Sequence, residues 1–410
     1  MRLKLRIFAI AVISILLSGC MGSGTSTTSS TTTSSKPVFG LNLDQQSSKT
    51  LSANYTGVRL DVIVPVFDPG IPDNPDDYEK LGVWPEVRRT EAIRFADLLK
   101  DELIKVNTFG DVRLAPDVQV AGDLYVLGEI KKSNGEDLEV RIQVYAVTGK
   151  RWMKKTYKHR VKEYHWNDVR QKGVDPYQPL FKTAAKDIAK LIKKKSSDQL
   201  AQVRAVTDLQ FANAFADNIF IDHLEFDQKN NISLVSLPPE DDSMLKRTRA
   251  LRVVDGLFMD RMQENFDDFI GKTEDSYVSW QEYSMNAAKQ RREAKSKATM
   301  QGIMGALLLI GAAAAADQNN SALENTAVVG AAIGGGVMLQ RSFASSAEGK
   351  YHRETLLELG QSLNFEVAPM VVDVEESNVT VRGDVKEQYR HWRSMMQEFY
   401  ELESTPNIQL

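Results

Sequence analysis

The sequence predicts an α+β protein, in which an α/β sandwich domain with a mixed sheet and covering helices precedes a mainly helical region. Strand-like apolar runs and alternating segments concentrate between residues 57 and 195, interleaved with two amphipathic helical patterns. From residue 196 onward, apolar residues recur mostly at three- and four-residue steps, as they do in helices. A Gly/Ala-rich apolar helical hairpin is predicted inside this region, with a small C-terminal β-pair plus a helix after it.

The first 20 residues have the pattern of a secretory leader. Basic Arg2, Lys4 and Arg6 precede an apolar run from Ile7 to Leu17, which is too short for a permanent membrane span. The tetrad Leu17-Ser18-Gly19-Cys20 follows and resembles the lipobox of bacterial lipoproteins. The resemblance implies that Leu17, Ser18 and Gly19 are recognised by the signal peptidase and that Cys20 is acylated. The alternative is a chance cysteine at the end of an uncleaved anchor.

The residues after Cys20 indicate where such a lipoprotein would be sorted. Met21 and Gly22 stand where an Asp would imply retention in the inner membrane, so we expect anchoring in the outer membrane, with outer-membrane lipid as a partner and the chain facing the periplasm. The covalent lipid on Cys20 is the one attached group expected, and no cofactor is predicted. Because Cys20 is the sole cysteine, acylation would leave no thiol for a disulfide, a metal site or a nucleophile.

Residues 21–56 form the predicted tether. Met21 to Lys36 are almost entirely Ser, Thr and Gly, a composition that cannot bury a core. The typical reach of such a chain is about 20 to 25 Å. A folded domain behind it would therefore sit close to the membrane.

The predicted α/β domain covers residues 57–195. Its strands are indicated by β-branched apolar runs or by alternation, and its helices by apolar residues on one face, such as Ala92, Phe95 and Leu99. Gly110 ends the first helical pattern, and Lys193-Lys194-Lys195, the densest basic run, is predicted to cap the carboxyl end of the second. In order, the elements are a strand at 59–67, a loop at 68–80, a helix opened by Pro85, strands at 112–114, 123–130, 138–147 and 151–157, and a helix at 179–195.

Four segments of this domain carry a family resemblance. They are VIVPVF at 62–67, ADLLKDEL at 96–103, GDLYVLGEI at 122–130 and EVRIQVYAVTGKRWMKKTY at 139–157. They resemble the TolB amino-terminal-like domain, which is shared by the curli secretion channel lipoprotein and by the lipoprotein activator of a peptidoglycan synthase. The resemblance implies a docking module. It implies no channel, because the stretches that build the membrane barrel of curli channels are not evident.

The helical region is predicted at 196–297 and the C-terminal region at 342–410. Ser196 and Gln199 have the spacing of a capping box, and 232–237 is a possible strand. Two helices are predicted, at 243–270 and 274–297. The C-terminal elements are a helix at 353–363, a β-pair at 365–374 and 378–381, and a helix at 385–401.

Residues 298–341 form the predicted hairpin, similar to the glycine-zipper hairpins of envelope proteins. Its arms, 303–316 and 326–339, flank a polar break at 317–320, and its small residues allow close backbone approach. Three interpretations of the hairpin are open. It packs against copies of itself or against its own domain, it enters the membrane despite its short arms, or it is part of an ordinary hydrophobic core. The helix-packing glycines are Gly302, Gly305, Gly311, Gly330, Gly334, Gly335 and Gly336.

Two aromatic pairs repeat on either side of the hairpin. Tyr277 with Trp280, and Tyr389 with Trp392, have the same spacing after a Gly-acidic stretch, which predicts matching faces at the starts of two helices. These faces are either two core stripes or a shared partner-binding surface.

No catalytic or metal-binding residues are predicted. A Gly-x-Ser-x-Gly motif is absent, and the five histidines (His159, His165, His223, His352 and His391) are scattered. Glu163, His165 and Asp168 could contribute to a metal site but are more typical of a surface loop. The acidic residues Asp73, Asp76, Asp77 and Glu79 lack the spacing of a calcium loop.

Composition limits the function classes. The chain has 410 residues, 42% hydrophobic and 26% charged, with a formal net charge of −4, which argues against a nucleic-acid partner. We expect a non-enzymatic outer-membrane lipoprotein that forms a homo-oligomer and acts as an assembly or secretion-accessory component of the cell envelope. The alternatives are a lipoprotein regulator of a peptidoglycan synthase and, third, an envelope hydrolase.

Overall fold

The computed structural model describes residues 58–162, 164–216, 219–313, 370–374, 377–381 and 384–404. The leader with Leu17, Ser18, Gly19 and Cys20, the tether at 21–56, the second arm of the predicted hairpin and the predicted helix at 353–363 lie outside these residues.

Six α-helices, two three-residue 3-10 helices (Val169–Gln171 and Ile221–His223) and nine strands are assigned within the described residues. The helices are α1 (Asp76–Leu81), α2 (Pro85–Lys105), α3 (Gln178–Ile192), α4 (Ser197–Asn213), α5 (Ser243–Ala313) and α6 (Val385–Ser404). The strands are β1 (Val62–Pro65), β2 (Val112–Ala115), β3 (Leu124–Ser133), β4 (Asp137–Ala146), β5 (Arg151–Arg160), β6 (Leu224–Phe226), β7 (Ile232–Leu234), β8 (Met370–Val374) and β9 (Ser377–Val381).

The predicted α+β class is confirmed, and the main sheet is mixed. Its five strands have the order β2-β1-β3-β4-β5, in which β1 is parallel to β2 and β3, while β3, β4 and β5 form an antiparallel meander. Two further two-stranded sheets consist of β6 with β7 and of β8 with β9. The C-terminal β-pair and the helix after it are therefore present.

The core of the sheet follows from alternation along its strands. In β4, Leu138, Val140, Ile142 and Val144 are buried, while the residues between them are only partly covered. Helices α2 and α3 cover the buried face and contact each other through aromatic rings. The Phe95 ring of α2 lies 5.4 Å from the Phe181 ring of α3.

The capping box predicted before α4 is present. The Ser196 side chain accepts a hydrogen bond from the Gln199 amide at 3.2 Å, and the Gln199 side chain accepts one from the Ser196 amide at 3.4 Å. Helix α3 ends at Ile192, and Lys193 occupies its C-cap, so the lysine run does lie at that helix end.

Two predictions about local structure are wrong. The predicted loop at 68–80 contains the short helix α1. The predicted helices at 243–270 and 274–297 are one continuous helix, α5, because Gly271, Lys272 and Thr273 remain helical between them. A single exposed Gly costs a helix only about 1 kcal/mol, and buried Phe269 and Tyr277 hold the helix on either side of it.

Helix α5 also crosses the predicted boundary between residues 297 and 298. Gly302, Gly305 and Gly311 lie within its last part, whereas Gly330, Gly334, Gly335 and Gly336 fall outside the described residues. At 1.5 Å per residue, its 71 residues have a contour length of about 105 Å. Among the described residues, no helix is both long and apolar enough to cross a membrane.

Candidate functional site

Helix α5 packs along one side of the α/β layer of the described structure and contacts it at several places. The helix packs against α2 and β2, while α4 and α6 pack against its first part. We call the surface of the α/β layer that receives α5 the helix seat; its contacts run from Arg252 to Arg292 along the helix, about 60 Å of contour.

The first contact of the helix seat is a cluster of charges at one end of the sheet. Asp61, Asp111 and Asp123 stand directly before β1, β2 and β3, and because these strands are parallel and in register, their carboxylates meet at one edge. Asp123 is fully buried and accepts a hydrogen bond from the Asp61 amide at 2.8 Å. Burial and the neighbouring Asp123 raise the pKa of Asp61.

Arg252 of α5 pairs with two of these carboxylates. Its guanidinium lies 3.3 Å from Asp61 and 3.2 Å from Asp123, and its other terminal nitrogen lies 2.5 Å from Asp208 of α4. One arginine therefore joins the sheet, α4 and α5. The more exposed Arg249 also pairs with Asp208, at 3.0 Å.

The second contact covers the free edge of β2. The Leu114 amide donates to Oε1 of Gln263 at 3.0 Å, and Nε2 of Gln263 donates to the Leu114 carbonyl at 2.9 Å. The same Nε2 also donates to the Met259 carbonyl at 2.9 Å, so both N–H groups of the side-chain amide are bonded. Beside it, Arg113 of β2 forms an ion pair with Asp260 at 2.6 Å.

The third contact is a buried polar cluster where α2, the end of β3 and α5 meet. Glu91 of α2 is fully buried and accepts hydrogen bonds from the Ser133 hydroxyl and, at 3.4 Å, from the Tyr277 hydroxyl. Burial raises the pKa of Glu91 to about 7, against the opposing effects of Arg88 and these hydrogen bonds. A carboxylic acid that titrates near neutral pH therefore lies inside the helix seat.

Arg94 links the same part of α5 to the loop before α3. Its Nε lies 2.8 Å from Asp175, its terminal nitrogens bond to Glu274 of α5, and its guanidinium lies 4.6 Å from the centre of the Tyr277 ring. A bidentate arginine–carboxylate contact also defines orientation. This contact therefore joins α2 to α5.

The fourth contact is a close backbone approach at the turn between β3 and β4. Gly135 has φ +83°, and a Cβ built on it would lie 2.4 Å from the Met285 amide nitrogen and 2.7 Å from the Gln281 carbonyl oxygen. Glycine is required both for the left-handed conformation and for the close approach. Further along, Arg292 pairs with Glu136 at 2.9 Å.

Helix α6 packs on the outer side of the same helix. Buried Asp255 of α5 accepts hydrogen bonds from Nε1 of Trp392 at 3.1 Å and from the Tyr389 hydroxyl at 3.3 Å. The Trp392 ring stacks on Phe258 with centroids 4.6 Å apart. Tyr277, Trp280, Tyr389 and Trp392 are all buried, so the two aromatic pairs are core stripes, and Tyr277 lies within α5 instead of at a helix start.

Two cavities adjoin the helix seat. One of about 570 Å³ lies at the charged end, lined by Asp61, Arg113, Asp208, Arg252 and other residues. The other, of about 450 Å³, lies between the 165–176 loop and α5 and is bounded by Arg94, Trp166 and Gln281.

His165, His223 and Asp168 form local hydrogen bonds. His165 bonds to the Val174 carbonyl at 3.0 Å, and His223 bonds to the Ser236 hydroxyl at 2.7 Å. Asp168 is bonded to both the side chain and the amide of Arg170, while Glu163 lies outside the described residues. Within the described part of the chain, no group of three His, Cys, Asp or Glu residues could hold a metal ion.

Sequence reasoning missed the residues that build the helix seat. The predicted apolar face of α2 contained Ala92 and Phe95, but Glu91 and Arg94 are buried as well because α5 covers a second side of α2. One signal was available: an aspartate directly precedes each of the three parallel strands.

Comparisons of the chain with protein-family models, with curated proteins and with solved structures found no match. The resemblance to the TolB amino-terminal-like domain stays a prediction from the sequence.

Proposed function

We propose that this chain is a non-enzymatic, outer-membrane-anchored periplasmic lipoprotein that acts as an oligomeric assembly or secretion-accessory component of the cell envelope. In this proposal the acylated Cys20 holds the chain to the membrane, the α/β layer is a rigid mount, and α5 presents the Gly/Ala-rich segment for self-association.

The observation that carries the proposal is the continuity of α5. The same helix that is bonded at Arg252, Gln263 and Tyr277 continues without a break through Gly302, Gly305 and Gly311. A flexible linker between mount and segment would leave the segment's direction undefined, whereas a continuous helix transmits the orientation of the seat to its end.

Small residues at the end of α5 indicate which kind of contact this segment makes. Gly302 and Gly305 are three residues apart and therefore share a helix face, which allows another backbone to approach closely. Copies of this chain would supply matching faces. Self-association through this segment is therefore the expected use of the long helix.

The anchoring part of the proposal has its own experiment. Cells that express the full chain are labelled with a fatty acid and their membranes are fractionated; label and protein should appear together in the outer-membrane fraction. Cys20→Ser should lose the label and should not appear in that fraction. Label on the Cys20→Ser protein, or recovery of the unlabelled wild type in the soluble fraction, would contradict anchoring through Cys20.

The assembly part is tested by cross-linking in intact cells. The wild type should give a ladder of multiples of its own mass. A ladder that lacks such multiples and contains only a peptidoglycan synthase would favour the regulator alternative.

A further inference from the structure

Strand β5 and helix α3 lie side by side at one edge of the molecule. Asp187 of α3 pairs with Lys155 of β5 at 2.6 Å and accepts a hydrogen bond from the Tyr157 hydroxyl at 3.0 Å. The Lys195 ammonium lies 4.6 Å from the centre of the Trp152 ring. Two segments that are distant in sequence therefore form one continuous surface.

This surface is strongly basic, although the whole chain carries a formal net charge of −4. Asp187 is the only acidic residue of β5 and α3. We call the exposed lysines along α3 and its carboxyl end, with Lys155 of β5, the basic face. Its members are Lys155, Lys182, Lys186, Lys190, Lys193 and Lys194, whereas Lys154 pairs in register with Gln143 and lies on the other side of the sheet.

Stabilising effects within the protein explain only some of these cations. Lysines on an edge strand discourage strand pairing, and lysines at a helix carboxyl end oppose the helix dipole. Lys182 lies in the amino-terminal half of α3, where the dipole does not favour a cation. Lys158 and Arg160 pair with Glu139 and Asp137 on the other side of the sheet, so the lysines of α3 are the ones that fit an external anion.

We propose that the basic face binds the surface of an anionic phospholipid bilayer. Charge complementarity selects the partner, because many exposed cations on one side of an otherwise acidic protein favour a surface of repeated negative charge. The proposal also rests on the proposed anchoring through Cys20, since the attraction decays within a Debye length of about 8 Å and a 36-residue tether, with a typical reach of about 30 to 36 Å, keeps the face near lipid. Half-buried Trp152 lies at the same face and suits the headgroup region.

The test uses the full mature chain with Cys20→Ala, which removes the acylation site and so makes vesicle binding independent of anchoring. Binding is measured by sedimentation with vesicles. Vesicles that contain phosphatidylglycerol should bind this protein at least about tenfold more strongly than phosphatidylcholine vesicles, and salt should weaken the binding. Equal binding to both vesicles, or to neither, would overturn the proposal.

Charge-reversal substitutions test whether the basic face is the part of the chain that contacts the vesicle. Lys186→Glu, Lys190→Glu and Lys194→Glu combined should reduce binding to the anionic vesicles by more than about tenfold. The matched control combines Lys229→Glu, Lys246→Glu and Lys386→Glu, which are exposed, lie on other elements and change net charge equally. An equal loss in the control would show a net-charge effect and overturn the assignment to the basic face.

Two further readouts complete the experiment. Thermal unfolding shows whether the triple variant is folded, and if it is not, Lys182→Glu with Lys193→Glu tests the same face with two substitutions. Binding of the chain to polyglutamate but not to anionic vesicles would overturn the lipid assignment in favour of an acidic protein partner. Self-association is measured separately, so failure of the proposed function and failure of this inference give different results.

Discussion

The side-chain amide of Gln263 bonds to the backbone of Leu114 as a neighbouring strand would. Both the amide and the carbonyl of Leu114 point away from β1 at the free edge of the sheet, and Gln263 of α5 satisfies both, at 3.0 and 2.9 Å. An open strand edge is a site of unwanted pairing, and here the long helix closes it. The contact between Gln263 and Leu114 thereby defines where α5 lies along the edge of the sheet.

Replacement of Gln263 by Met should destabilise the chain. The two backbone groups of Leu114 lose their partners, and each buried unpaired group costs about 1 to 3 kcal/mol. Urea unfolding should show a loss of about 2 to 4 kcal/mol in the free energy of unfolding. The control is Glu264→Met on the exposed side of the same helix, expected within about 0.5 kcal/mol of the wild type. An unchanged midpoint for Gln263→Met would contradict the edge-closing role.

Replacement of Arg252 by Met should cost more. Asp123 is fully buried, so removal of its cationic partner leaves an uncompensated charge, with an expected loss of about 3 to 5 kcal/mol. Arg249→Met is the matched control, because Arg249 shares the partner Asp208 but is half-exposed; its loss should be below about 1 kcal/mol. Equal losses in chemical denaturation would show that the buried carboxylates do not depend on Arg252.

Gly135→Ala should weaken the contact between the β3–β4 turn and α5. The added Cβ meets backbone atoms of Gln281 and Met285 and adds about 1 to 3 kcal/mol to the conformational cost. Gly173→Ala has a similar positive φ, +76°, but open space around it, so it measures the conformational cost alone, about 1 to 2 kcal/mol. Hydrogen exchange should accelerate around Met285 in Gly135→Ala only. Identical exchange in the two variants would mean that the turn does not hold the helix.

Glu91→Gln should change how stability depends on pH. The pKa of Glu91 is raised by burial from 4.5 to about 7, so the folded chain holds this proton more tightly than the unfolded chain. This group therefore lowers the free energy of unfolding progressively as pH rises from about 4.5 to about 7, and the effect levels off above that range. The neutral amide lacks this effect.

As pH rises across that range, the free energy of unfolding of Glu91→Gln should therefore increase relative to that of the wild type. The relative increase should reach about 3 kcal/mol at pH 8. The measurement is the difference in free energy of unfolding between the two proteins at several pH values, which cancels most other titrating groups. A difference that stays constant between pH 4.5 and pH 8 would count against a buried, neutral Glu91.

The strands and amphipathic helices could be predicted because they have local periodicity. Alternation in β4, the apolar face of α3 and the Ser196–Gln199 capping box each depend on residues that are close in sequence. The continuity of α5 was missed because Gly271 and Thr273 are typical of helix ends, and only the packing of Phe269 and Tyr277 against other elements overrides that preference.

The helix seat could not be predicted for a related reason. Glu91, Arg94 and Arg252 are ordinary surface residues until a distant element covers them, and no local pattern pairs Arg252 with Asp61 or Asp123. Cys20, by contrast, is predicted as the acylated residue from an entirely local signal; it lies outside the described residues, and its acylation stays a prediction.

The central claim is that the end of α5 joins copies of this chain, and native mass measurement of the detergent-extracted, acylated full chain tests it most directly. Three proteins are compared: the wild type, a Gly302→Leu/Gly305→Leu variant, and Gly271→Leu, which changes an exposed glycine of the same helix with open space around it. The wild type and Gly271→Leu should give the same oligomer, and Gly302→Leu/Gly305→Leu should give a smaller species. A monomeric wild type, or the same oligomer in all three proteins, would contradict the claim.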